Sequence, residues 1–87
     1  MSSQQLDDFL NKCFFEGKSH VALNFENVNY LSSSGLRVLL LFHKKFRELD
    51  RNFELIQLPK HIYEIITVAG FDKVFSVFKD YESVRNR

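Results

Sequence analysis

Two periodicities take turns along this chain, and their order limits its folding choices most. Val21, Leu23 and Phe25 alternate with Ala22 and Asn24, so Val21 to Phe25 reads as a strand with one strongly apolar face. On either side the period lengthens. Leu6, Phe9, Leu10, Cys13 and Phe14 fall at i, i+3, i+4, i+7 and i+8, the spacing of a helix with one buried stripe. Ser2 and Gln5 have capping-box spacing at its start. Gly17 ends it, since glycine takes the left-handed conformation of a C′ residue without steric cost. A polar turn, Glu26 to Asn29, and a run of serines then lead into a helical pattern from about Ser34 to Arg51. Phe53 to Leu58 is the second strand segment, closed by Pro59, which cannot donate to a ladder and commonly opens a helix. Ile62, Ile65, Ile66 and Ala69 form a third helical stripe with Gly70 as its stop. Val74 to Phe78 is the third strand segment, and a short helix from near Asp80 carries Tyr81 and Val84 inward. Alternation of this kind predicts an α/β fold, with a mostly parallel sheet of about three strands, about four helices and right-handed crossovers.

No linker, internal repeat or low-complexity tract divides the chain, so residues 1–87 read as one small domain. A chain of this length buries roughly 60 to 65% of the surface its unfolded form exposes, enough for one core. With 10 Phe and no Trp, that core is rich in aromatic rings packed against Leu, Ile and Val. Twelve Lys and Arg balance 11 Asp and Glu, which leaves no electrostatic footprint for nucleic acid or an anionic membrane. The single cysteine, Cys13, has no internal disulfide partner and reads as a small core residue on an apolar helix face. The longest unbroken apolar run, Val38 to Phe42, is far short of the roughly 20 residues that span a bilayer. The N-terminus has neither a basic nor an apolar signal region. These features predict a cytoplasmic protein without membrane insertion.

The stretch from Tyr30 to Leu41 carries the most chemistry. Ser32, Ser33, Ser34 and Gly35 stand where a strand-to-helix turn is expected, and serine is a favoured N-cap because its oxygen accepts an N–H without an intrahelical partner. Beyond the turn the apolar arc is broad: Leu36, Leu39 and Leu40 lie on one side, and Val38, Leu41 and Phe42 on another. Arg37, Lys44, Glu48 and Arg51 share a stripe that reads as a solvated face, with Lys44 and Glu48 a weak i, i+4 pair.

Several chemistries are missing. A nucleophile elbow needs glycine two residues before and after its serine; Leu31 breaks that pattern for Ser33, and Ser32 and Leu36 break it for Ser34. No phosphate loop of the Gly-Lys-Ser/Thr type is present. His20, His43 and His61 are isolated, without Cys or carboxylates at metal-ligand spacing. The expectation is a protein that is not an enzyme and needs no cofactor.

The run Val21-Ala-Leu-Asn-Phe-Glu-Asn-Val-Asn-Tyr-Leu-Ser-Ser-Ser-Gly-Leu36 resembles the signature of STAS domains, named for sulfate transporters and anti-sigma-factor antagonists. There a strand ends in an apolar pair, followed by Asp, Ser, Ser or Thr, Gly and Leu. Ile65-Ile-Thr-Val-Ala-Gly-Phe-Asp-Lys-Val-Phe75 is similar to the family's helix-Gly-Phe-strand segment. The resemblance implies that Ser33 is the serine offered to a cognate kinase and Ser34 the hydroxyl after it. Gly35 and Leu36 then open the helix, and Ser32 through Arg37 form a partner-binding patch. It further implies partner switching. The unmodified protein binds an anti-sigma factor with a histidine-kinase-like ATPase fold, that partner phosphorylates it, and a metal-dependent serine phosphatase restores it. Ser32 stands where the signature usually has Asp, which makes Ser32 a rival phosphosite alongside Ser34. The chain also begins at the family's first helix, without the usual N-terminal strand pair; the expectation is an exposed sheet edge open to pairing with another chain, with a homodimer, a swapped assembly or a shortened sequence as the alternatives. The alternative role is a non-phosphorylated STAS-like adaptor subunit of a lipid-transport or stress-signalling assembly.

Overall fold

The computed structural model describes residues 2–85. Its elements are α1 (Ser3–Phe15), β1 (His20–Asn24), α2 (Ser33–Glu48), β2 (Asn52–Ile56), α3 (Lys60–Val68), β3 (Ser76–Phe78) and α4 (Tyr81–Arg85). The order is the predicted one. The strands form one sheet in the order β1-β2-β3, and β2 pairs with β3 in parallel, Glu54 opposite Ser76, Leu55 opposite Val77 and Ile56 opposite Phe78. β1 runs the same way, with the Asn52 N–H donating to the Ser19 carbonyl (2.8 Å) and the Phe25 N–H to that of Ile56 (3.0 Å). Phe53 to Ile56 are buried without a break, so β2 shows the continuous burial of a central parallel strand, Glu54 included at 1% exposure.

Two compact units make up these residues. In the first, residues 2–21 and 32–53, α1 and α2 lie side by side. Ser3 meets Ser34 at their starts and Phe14 meets Phe46 near their ends, so the two helices run parallel. Leu10, Leu39, Phe42 and Phe46 are fully buried, and Phe14 meets Phe42 and Phe46 edge-on at 6.5 and 5.7 Å between ring centroids. In the second, residues 22–31 and 54–85, Leu55, Ile62, Ile66, Phe75 and Val84 are buried. The expected inward placement of Tyr81 lies outside the described residues.

Local chemistry explains the ends of the helices. Ser2 accepts the Gln5 N–H (3.1 Å) while the Gln5 side chain accepts the Ser2 N–H (2.8 Å), the capping box expected at α1. Gly17 (φ +75°) and Gly70 (φ +84°) close α1 and α3 as left-handed C′ residues. α2 stops three residues before the expected Arg51 because Asp50 takes the same role at φ 54°. The Arg51 N–H then reaches the Phe46 carbonyl (2.8 Å) and the Asp50 N–H that of Arg47 (3.1 Å).

Other expectations shift for equally local reasons. Gln57 has φ 53° and turns its N–H to the Phe78 and Lys79 carbonyls, so β2 ends at Ile56 and not at Leu58. β3 starts at Ser76 and not at Val74, since the N–H groups of Val74 and Phe75 both donate to the Phe71 carbonyl in a closing turn. Phe9, placed by spacing on the buried stripe of α1, is 46% exposed. Arg51 leaves the solvated stripe altogether: its guanidinium donates to the Phe14 carbonyl (2.9 Å) and stacks 4.9 Å from that ring's centroid. Cys13 is half-buried, and burial, with Glu16 adding to it, pushes its thiol pKa above the usual value.

Candidate functional site: the serine turn before α2

The residues from Ser32 to Arg37 all lie at the start of α2, within the first unit. Ser32 is the N-cap, with the extended backbone such a residue needs (φ −76°, ψ 163°). Its hydroxyl oxygen accepts the Gly35 N–H at 3.0 Å, and its carbonyl accepts the Leu36 N–H at 2.9 Å. The serine that replaces the signature's aspartate thus performs the cap that a carboxylate would perform.

The three hydroxyls differ sharply in what they touch. Ser34 donates to the Ser3 hydroxyl on α1 at 3.2 Å, which leaves its oxygen to accept from Ser32 at 3.1 Å. A chain of hydroxyls therefore runs from Ser32 through Ser34 to Ser3, with the Ser32 oxygen also holding a backbone N–H. Ser33 stands outside it. Its side chain is exposed at the first position of the helix and makes no hydrogen bond among the described residues. Of the three serines, Ser33 alone presents a hydroxyl whose protonation and rotation are not committed to the fold.

The start of α2 suits an anion. The first turn of α2 carries no acidic residue, and Ser33 and Ser34 come before Leu36, whose N–H is the first to reach an intrahelical acceptor, so the end of the helix presents free donors. Arg37 is exposed one turn further on, with no ion pair among the described residues. On α1, Asp7 accepts from Asn11 (3.1 Å) and Asp8 from Gln4 (2.9 Å). Gly35 is buried and Leu36 half-buried, so these two secure the turn from below while Ser33 and Arg37 face outward.

The structure thus brings together all six residues that the sequence singles out, and adds Ser3. Nothing local marks Ser3, because its partner lies 31 residues away and the contact exists only once α1 and α2 are packed in parallel. The arrangement can accept an anion at Ser33, at the start of the helix. Among the described residues no group of His, Cys, Asp and Glu is placed to hold a metal ion, and no helix is long and apolar enough to cross a membrane.

Comparison with known proteins points one way. The sequence profile of the STAS domain matches residues 1–84. A Bordetella bronchiseptica protein named "Putative anti-sigma factor antagonist BtrV" is 32% identical over 82 residues, which cover 94% of this chain and 71% of that protein. The crystal structure of a "putative anti-sigma factor antagonist" from Thermotoga maritima matches with a TM-score of 0.90 over 97% of this chain and 73% of its own. At 12% identity, that second match is a likeness of fold.

Proposed function

The chain belongs to the STAS domain family, and from that premise we propose that it is an anti-sigma-factor antagonist, switched by phosphorylation of Ser33. The observation that carries the reading is the division of labour among the serines: Ser32 and Ser34 are tied into the hydroxyl chain, and Ser33 is exposed and free of it. Phosphorylation of Ser32 would remove the cap of α2, and phosphorylation of Ser34 would break its bond to Ser3. A phosphate on Ser33 costs the fold neither. It adds roughly −1.5 to −2 charge at a helix N-terminus, where the dipole and free N–H groups tolerate it. The scaffold stays intact while the surface seen by a partner changes.

In this reading the unmodified protein binds an anti-sigma factor in the cytoplasm and so frees a sigma factor. The same partner, a serine kinase of histidine-kinase-like ATPase fold, then modifies Ser33 and ends the complex. A serine phosphatase reverses the step. The protein is the kinase's substrate and not a catalyst, and ATP and metal belong to the partners.

The test is a quantitative pull-down from the native cell with wild type, Ser33→Ala and Ser33→Asp as baits. Wild type and Ser33→Ala should capture a serine-kinase-like ATPase that Ser33→Asp does not. Equal capture of one non-kinase complex by all three would make Ser33 a plain helix residue and the protein an adaptor.

A further inference from the structure

We propose that a phosphate on Ser33 is gripped by Arg37 in an intrahelical clamp, so that modification adds negative charge and at the same time withdraws this arginine from any acidic partner. The inference rests on Ser33 being the modified residue, and it concerns what the phosphate does once it is there.

Ser33 and Arg37 are the first and fifth residues of α2, and both side chains are exposed. Four residues along a helix advance about 6 Å and come back to the same face, within reach of a phosphoserine and an arginine. The order is the favourable one, with the anion nearer the N-terminus and the cation one turn beyond it. Arg37 has no competing ion pair among the described residues. The planar guanidinium can meet two phosphate oxygens at once, which a lysine at this place could not do. Ser33 and Ser34 are the first two residues of the helix, whose N–H groups lack intrahelical acceptors and favour an anion at that end. Modification therefore acts on two charges of the docking surface: the phosphate appears and the guanidinium is drawn toward it for part of the time.

The experiment uses the full chain with phosphoserine placed at position 33 during translation, so it does not depend on any kinase. Phosphorus NMR follows the second ionisation of the phosphate with pH in three proteins: the wild-type background, Arg37→Gln and Arg37→Lys. A phosphoserine peptide of the same local sequence gives the unfolded reference, and circular dichroism checks that α2 persists. The clamp predicts that the midpoint in the wild-type background lies below that of Arg37→Gln by roughly 0.2 to 0.4 pH unit, an exposed i, i+4 ion pair expressed as a pKa shift. Arg37→Lys should fall between them. Should Arg37→Gln fail to fold, Arg37→Lys supplies the comparison, and its midpoint must lie above that of the wild-type background. Equal midpoints in the wild-type background and Arg37→Gln, or, where that variant does not fold, in the wild-type background and Arg37→Lys, overturn the clamp. Those results leave the switch at Ser33 standing, whereas absence of Ser33 phosphate in the native cell sinks the switch and leaves the titration unchanged.

Discussion

Replacing Ser32 by alanine isolates the one hydroxyl that the start of α2 depends on. Its oxygen accepts the Gly35 N–H at 3.0 Å from a half-buried position, so the substitution leaves that N–H without its partner in the first turn of the longest helix among the described residues. Loss of a serine N-cap costs about 0.5–2 kcal/mol, typically about 1. The second contact of Ser32, to the exposed Ser34 hydroxyl, adds little because water replaces it. About 1 kcal/mol corresponds to a fall in melting temperature of roughly 4–8 °C for a domain of this size. The assay is urea and thermal unfolding followed by far-UV circular dichroism, with Ser33→Ala and Ser32→Asp in parallel. Ser33→Ala should unfold within about 0.5 kcal/mol of wild type, because its hydroxyl supports nothing in the fold. Ser32→Asp should keep wild-type stability or exceed it, since a carboxylate caps as well and sits at the positive end of the helix. If Ser32→Ala were as stable as wild type while Ser33→Ala was not, the assignment of capping and free hydroxyls would be reversed.

Three further outcomes follow from the packing. Phe46→Ala removes a fully buried ring that meets Phe14 and Phe53; it should lose about 3–5 kcal/mol, read as a large drop in urea midpoint or outright unfolding. Arg51→Ala gives up the charged hydrogen bond to the Phe14 carbonyl and the stacking on that ring, for about 1.5–3 kcal/mol, with Arg51→Lys losing less; near-wild-type melting of Arg51→Ala would refute the role. Burial, with Arg47 acting in the same direction, holds the His43 imidazole below its ordinary 6.5. Since the folded pKa is the lower one, the unfolded chain takes up the proton first. The contribution of His43 to stability is then full above about 6.5 and is lost as pH falls through the folded value. His43→Gln should flatten the urea midpoint against pH as pH falls below about 6.5, and an unchanged slope would assign the pH dependence to other groups.

Residues three to five apart made most of the secondary structure legible. The capping box of Ser2 and Gln5, the stops at Gly17 and Gly70 and the serine cap before α2 are all closed by such local bonds, and each stands where its residues predict. Where the same kind of signal was written in an unexpected residue, it was missed. Asp50 and Gln57 take left-handed backbone without being glycine, so α2 and β2 end earlier than hydrophobic spacing alone suggests.

The sequence by itself determined the order of helices and strands, the parallel α/β class and the six residues of the serine turn, because each depends on periodicity or on neighbours within one helical turn. Only the tertiary structure decided which of three adjacent serines is free. That choice depends on Ser34 meeting Ser3 across 31 residues, just as the role of Arg51 depends on Phe14 across 37. Contacts of such separation have no local signature, since they come into being when α1 and α2 bury their aromatic faces side by side and bring distant polar groups into bonding distance.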